Sequence, residues 1–155
     1  MYFHQVINKI VIKTCGEGFT NITPQINDFI KESCIKTGII NLSILHTSCS
    51  LTINENADPR VLEDLSAYIK AIVPYEAFMG LNEKKTLTNY SHCDEGIDDM
   101  PAHIKTALTN TSISLTISDS KLLLGTWQAV YLWEHRQFQH ARNICLHIIG
   151  ERSNT

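Results

Sequence analysis

The feature that most constrains this chain is strict period-two alternation, which recurs over its last forty or so residues. Ile113, Leu115 and Ile117 alternate with Ser and Thr, and Ile144, Leu146 and Ile148 share one face of a final run from Asn143 to Gly150. Between them, Gly125 to His135 sets Gln128 and Glu134 opposite Trp127, Ala129, Tyr131 and Trp133. Side chains with this period line the two faces of a strand and smear around a helix. Asp119-Ser120 leads into Leu122 and Leu124, and the polar stretch 136 to 141 reads as a hairpin. Three or four strands therefore close the chain.

The first half mixes strands with helices. Residues 2 to 14 read as a half-exposed strand through Val6, Ile10 and Ile12, broken by Gly16 and Gly18. Thr23-Pro24 opens a helix with Ile26, Phe29, Ile30 and Cys34 on one stripe and Gly38 as its stop. Ile40, Leu42 and Ile44 alternate with polar residues up to His46, and Leu51 and Ile53 continue in a second strand. Asp58-Pro59 starts a second helix, whose buried stripe is predicted as Val61, Leu62, Leu65, Ile69 and Ile72, with Pro74 as its end. Residues 75 to 91 show no clear period. A third helix is expected from Pro101 to about Asn110. Antiparallel strands interrupted by three helices predict α+β, an antiparallel sheet or sandwich rather than βαβ units. A chain of 155 residues suits one domain, 1–155.

Charge and cysteine usage exclude several function classes. Thirteen basic and sixteen acidic residues give a net charge of -3, and no Lys/Arg run exceeds Lys84-Lys85. A nucleic-acid or anionic-membrane footprint is not expected. No apolar run reaches the length of a membrane span and the N-terminus has no signal-peptide core, so a cytoplasmic protein is expected. The five scattered cysteines contain no CxxC pair, and free thiols are expected. Gly-rich phosphate loops, Walker motifs and GxSxG elbows are absent from the sequence.

The chemistry concentrates in Ser91 to Lys105, SHCDEGIDDMPAHIK. Two histidines (His92, His103) and four acids (Asp94, Glu95, Asp98, Asp99) surround one glycine and one proline. Too polar for a core strand, the stretch reads as a loop running into a helix, with Asp99 capping it, Pro101 in its first turn and His103 in that turn too. His46, His92 and His103 could meet on one divalent ion, either tetrahedral zinc with an open site or an oxygen-rich magnesium site using Asp98, Asp99 and Glu95. Ser50, Thr52, Asn54 and Asn56 recur at period two, which suits either a wet ligand pocket or an exposed strand face. In Gly125-Thr126-Trp127-Gln128 the glycine permits close approach to a ligand, and Trp127 is expected in the core. Ser48 or Cys49 as a nucleophile for His46 ranks low, because neighbouring strand residues point to opposite faces.

The segments HTSCSLTINENADP, YSHCDEGIDDMPAHIK and LLLGTWQAVYLWEH, with the closing IIGE, resemble the YjbQ-like family, also called secondary thiamine-phosphate synthase. The resemblance runs from about Ile40 to Glu151; Ile97, Ser120 and Ala129 depart from the family's usual Asn, Gly and Gly. It implies an α+β fold, a homotrimer, and an enzyme joining hydroxymethylpyrimidine diphosphate to thiazole phosphate with release of pyrophosphate. The alternative is a non-catalytic trimer that binds a metal or a phosphorylated metabolite. Such a reaction needs the diphosphate charge neutralised. His46, Glu95 and His103 are the acid/base candidates; Mg or Zn on His46, His92, His103, Asp98 and Asp99 is the expected metal. Ser50, Thr52, Asn54, Asn56, Lys105, Thr126 and Gln128 are the expected substrate or phosphate contacts. The chain itself adds an expectation of a homo-oligomer, because the 127–133 strand is apolar on both faces; the three-fold order is what the resemblance implies.

Overall fold

The computed structural model describes residues 3–80 and 86–152; part of the aperiodic 75–91 segment and the Lys84-Lys85 pair lie outside them. In chain order the elements are β1 (Phe3–Lys13), β2 (Gly18–Asn21), α1 (Thr23–Ser33), β3 (Ile35–Ile44), β4 (Cys49–Glu55), α2 (Pro59–Ile72) and β5 (Ala77–Met79). There follow β6 (Leu87–Asn89), α3 (Asp99–Leu108), β7 (Ser112–Ser118), β8 (Lys121–Leu122), β9 (Gln128–Glu134) and β10 (Ala141–Arg152). The pairings are antiparallel throughout: a five-stranded sheet β1-β10-β3-β7-β8, a three-stranded sheet β2-β9-β4 and the short hairpin β5-β6. The α+β class is as expected, and β5-β6 supplies strands where the sequence shows no period.

Register follows the apolar alternation. Ile144, Leu146 and Ile148 of β10 stand opposite Ile44, Leu42 and Ile40 of β3, and all six are buried. A one-residue slip would turn the whole set to the outer face. One core joins this inner face to Ile22, Ile26 and Ile30 around α1 and to Leu51, Val130 and Leu132 of the three-stranded sheet. Each such side chain contributes roughly 1.5–3 kcal/mol on burial. The β7–β8 turn takes φ of 50° at Asp119 and 59° at Ser120, a two-residue turn of the type that matches strand twist.

Four local expectations are corrected. Helix α1 ends at Ser33, not Gly38: Cys34 adopts φ 58° and its N–H donates to the Lys31 carbonyl. Gly38 lies inside β3 because the backbone of β10 comes close there; a Cβ would sit 2.7 Å from Gly150 Cα. In α2, Asp58 caps as expected by accepting from Arg60 N–H at 3.0 Å, yet of the predicted stripe only Ile69 is buried and Ile72 is 51% exposed. Trp127 is 63% exposed, because it sits in the turn before β9. Strand β9 is apolar on both faces for an internal reason: it is the middle strand of its sheet, Val130 and Leu132 face the main core, and Trp133 joins a second cluster with Ile69 and Val73. Its residues 129–134 are all buried within one protomer, so they ask for no cover from a second copy. Uncovered apolar side chains cluster elsewhere, among other places on the outer face of the five-stranded sheet. There Phe3, Ile7, Val11, Ile39 and Ile149 are exposed, and a groove of about 430 Å³ runs past Phe3, Ile39 and Ile149.

Candidate functional site

The loop before α3 turns at Gly96 (φ 110°) and delivers two adjacent carboxylates to the helix start. The helix begins one residue earlier than its capping chemistry suggests. Asp98, not Asp99, occupies the cap position, and its side chain makes no cap hydrogen bond. Arg136, from the β9–β10 connection, takes that carboxylate instead: Nε donates to Asp98 Oδ2 at 3.0 Å, and the backbone N–H of Gln137 donates to the same oxygen at 2.8 Å. Arg136 also donates through Nη1 to Asp99 Oδ1 and through Nη2 to the Glu95 carbonyl at 2.8 Å. One guanidinium thus closes the loop onto the sheet, as its planar fork allows. Arg136 is absent from the residues the sequence singles out. The signal that points to it is an unsatisfied demand, since two buried adjacent carboxylates need a cation.

With Oδ1 on Arg136, Asp99 turns Oδ2 towards two imidazoles. His92 Nε2 lies 2.7 Å from it and His103 Nε2 lies 3.4 Å away, one helical turn on. The ligand atoms of His92, Asp99 and His103 all fall within 4.8 Å of one another. Burial pushes the Asp99 carboxyl up, but the His92 bond and the charges of Arg136, His103 and His92 outweigh it and hold its pKa below the ordinary value. His103 Nδ1 lies 3.0 Å from the Thr47 carbonyl. A carbonyl only accepts, so Nδ1 carries a proton, and in the neutral ring Nε2 keeps its lone pair. This is the outer-shell arrangement that orients a metal-ligating histidine. His103 is the fifth residue of α3, beyond the orphan N–H groups of the first turn, so it does not sit at the anion-binding helix start that the sequence suggests.

The remaining candidates separate. Asp98 is committed to Arg136 and Gln137 and stays out of the triad. His46 stays out too: its Nδ1 accepts the Ser48 backbone N–H at 3.2 Å. Glu95 is exposed and its backbone carbonyl, not its carboxylate, binds Arg136. Lys105, expected at phosphate, is fully buried; Nζ donates to Glu17 Oε1 at 2.5 Å and sits 5.0 Å from the Tyr75 ring centre. Ser50 is buried as well, 2.9 Å from His135 Nε2. Asn54, Asn56, Thr126 and Gln128 lie at the other end of the three-stranded sheet. The β4–β9 register pairs Cys49 with Glu134 beside the triad and Glu55 with Gln128 at the far end, about 20 Å away at ~3.3 Å per residue. There they serve local structure: Asn54 Oδ1 accepts from Glu55 N–H, Asn56 Nδ2 donates to the Thr126 and Gln128 carbonyls, and Gln128 Oε1 accepts from Gly125 N–H. Thr52 is half-buried in mid-strand. Within one protomer these residues do not converge on the triad.

Cys49 is fully buried and its thiol is pushed up to about 12 by burial, so it is no nucleophile; all five cysteines are free. Among the described residues, no helix is long and apolar enough to cross a membrane.

The chain is 44% identical to a UPF0047 protein of Synechocystis over 148 residues, covering 96% of this chain and 92% of the relative. It is 39% identical to the UPF0047 protein YjbQ of Salmonella typhimurium, covering 92% and 96%. Among solved structures it is similar to an uncharacterised YjbQ/UPF0047-family protein of Clostridium acetobutylicum, with a TM-score of 0.76, 29% identity and coverage of 91% and 98%. A YbjQ-like protein of unknown function from Sulfolobus solfataricus shares the fold at a TM-score of 0.79 and 22% identity, covering 97% and 100%. The model of the family "UPF0047 protein YjbQ-like" matches residues 8–151, and with that match across nearly its whole length the chain belongs to the YjbQ-like UPF0047 family.

Proposed function

We propose that this protein is a metal-dependent enzyme acting on a phosphorylated small molecule, with one divalent ion held by His92, Asp99 and His103. The observation that carries the reading is the set of three donor atoms within 4.8 Å, with the far nitrogen of His103 already bonded to the Thr47 carbonyl. Two imidazoles and one carboxylate suit zinc or another first-row transition ion, whereas magnesium favours oxygen ligands and water. Bound there, the ion supplies charge neutralisation for a phosphate or diphosphate oxygen. Asp99 keeps its charge through Arg136 and points one oxygen at the site. The family resemblance carries the finer reading, a thiamine-phosphate synthase-type transfer that releases pyrophosphate. The same reading makes the protein a homotrimer, with the open outer face of the five-stranded sheet as the contact between copies.

One observation favours a second reading, a non-catalytic protein that binds a metal or a phosphorylated metabolite. The two cations expected or found near the triad are already spent, Lys105 on Glu17 and Arg136 on Asp98 and Asp99. A phosphate would meet the ion without a free Lys or Arg from these positions.

Metal analysis, zinc titration by calorimetry and pyrophosphate-release assays on wild type, Asp99→Asn and His103→Ala test both. The enzyme reading expects zinc binding and turnover in wild type and the loss of both in each variant. Metal binding without turnover supports the second reading. Wild type that binds no transition ion overturns the enzyme reading and leaves of the second reading only metabolite binding, which a titration with inorganic pyrophosphate then decides. For assembly, sedimentation of wild type and Ile39→Asp should show an oligomer and its loss; a wild-type monomer at micromolar concentration removes the trimer.

A further inference from the structure

His46 stands outside the metal triad, yet its exposed ring is held at one nitrogen by two contacts to Ser48. Its Nδ1 lies 3.2 Å from the backbone nitrogen of Ser48 and 3.1 Å from Ser48 Oγ. A backbone N–H can only donate, so Nδ1 must offer a lone pair. The hydroxyl points the same way. Ser48 Oγ accepts from Arg142 Nη2 at 2.9 Å, and since a guanidinium never accepts, the hydroxyl proton is directed to Nδ1. Arg142 is fixed in turn. Its Nε and Nη2 reach the two oxygens of Glu134 at 2.7 and 2.6 Å, and both residues are buried. Glu134 also accepts from Thr14 Oγ1 and from the N–H groups of His135 and Arg136. A one-way chain of donors therefore runs from a buried ion pair through Ser48 to the His46 ring.

The consequence is a fixed tautomer. With Nδ1 serving as acceptor, neutral His46 carries its proton on Nε2. A second proton would land on Nδ1, against the Ser48 N–H. Burial and the Arg142 charge push its pKa down, Glu134 works the other way, and His140 and His103 push it down further. His103 is the mirror case: its Nδ1–H lies on the Thr47 carbonyl, so its neutral ring leaves Nε2 as lone pair. Residues 46 to 48 thus tie two imidazoles of opposite tautomer into one turn: one suited to ligate, the other to donate.

We propose that His46 is a locked hydrogen-bond donor, presenting Nε2–H to an anionic oxygen of the substrate held at the His92–Asp99–His103 site, with Ser48, Arg142 and Glu134 as its positioning residues. The proposal rests on the metal-site reading for the identity of that site, though not for the tautomer. It makes the ligand class an oxyanion of the phosphate type. It also removes His46 from general-base chemistry, because an Nε2–H has no lone pair to take a proton. A preorganised neutral donor of this kind stabilises charge without having to reorient.

The test has two arms. Ring-nitrogen NMR on histidine-labelled protein at pH 7 should show His46 neutral with the proton on Nε2, and His103 with it on Nδ1. A His46 with its proton on Nδ1, or a cationic ring, overturns the lock. In the second arm, zinc and then inorganic pyrophosphate are titrated onto wild type, His46→Ala and His46→Gln. His46→Ala should keep zinc affinity and lose pyrophosphate affinity about tenfold or more, the scale of a hydrogen bond to a charged group. Gln, whose amide N–H reaches about where Nε2–H does, should recover part of it. Loss of zinc in His46→Ala makes the residue a ligand, and unchanged pyrophosphate affinity makes it a bystander; either result overturns the proposal. Wild type that binds no zinc overturns the metal reading and the shared site, while the ring nitrogens still decide whether the donor is locked.

Discussion

His135 makes a prediction about acid stability that needs no ligand. It is fully buried beside Ser50, and among the described residues its Nδ1 has no hydrogen-bond partner. Burial, then the charge of Lys105, drives its pKa from 6.5 down to about 4, with Arg142 adding a little and Glu134 and Glu17 opposing. The unfolded chain therefore takes up a proton in a range where the folded protein does not. Stability from this group is whole above pH 6.5 and is lost as pH falls from there towards 4. The full difference is about 3 kcal/mol at 1.36 kcal/mol per pH unit, and about 2 kcal/mol of it falls between pH 7 and pH 5. His46, also lowered, adds in the same direction. The assay is urea unfolding followed by circular dichroism at pH 7, 6 and 5. Fixed protein concentration and a chelator keep assembly and metal binding from adding their own pH dependence. His135→Gln should remove most of the slope. Stability that is flat or rises from pH 7 to pH 5 in wild type would refute the argument, and so would an unchanged slope in His135→Gln.

Other outcomes follow from the same structure. Glu134→Gln leaves Arg142 charged, buried and poorly paired, and should cost about 3–5 kcal/mol by urea unfolding. Below pH 4.5 a second acid loss should begin. Burial raises Glu134, Asp98, Asp99 and Glu17, but their bonds to Arg142, to Gln137 N–H and Arg136, to His92, and to Lys105 and Lys70 outweigh it, and all four lie below their ordinary values. Their contribution is present above the unfolded pKa and disappears as pH falls through the folded one, so unfolding scans from pH 4.5 to pH 2.5 should steepen after the histidine window closes. Arg136→Gln should weaken zinc binding about 10–100-fold by calorimetry, because Asp99 loses the partner that aims it. Gly38→Ala should destabilise by about 1–3 kcal/mol, since its Cβ meets Gly150 Cα, while Gly18→Ala meets no neighbour and is limited to the strain of its φ of 141°.

The sequence alone determined what is local. Period-two alternation in β3, β7 and β10 names the strands and their inner faces, in β9 it names the strand alone, and Asp58-Pro59 names the start of α2, because backbone geometry and capping act within a few residues. The Ser91 to Lys105 stretch was readable as chemistry for the same reason: its ligand-type residues are consecutive. Only the tertiary structure decided which of those residues share a site. Asp98 and Asp99 are neighbours with the same chemistry, and Arg136, 37 residues from Asp99, takes one oxygen of each, while only Asp99 turns its other oxygen to the histidines. Lys105 looks like a phosphate ligand until α3 turns it onto Glu17, 88 residues away. Gly38 looks like a helix stop until β10 presses against it. His46 looks like a third ligand until Ser48 fixes its tautomer, and Ser48 can direct its proton there because Arg142, 94 residues on, fills its oxygen. Long-range partners of this sort leave no period or spacing in the chain; they appear once the sheets pair and buried charges find each other.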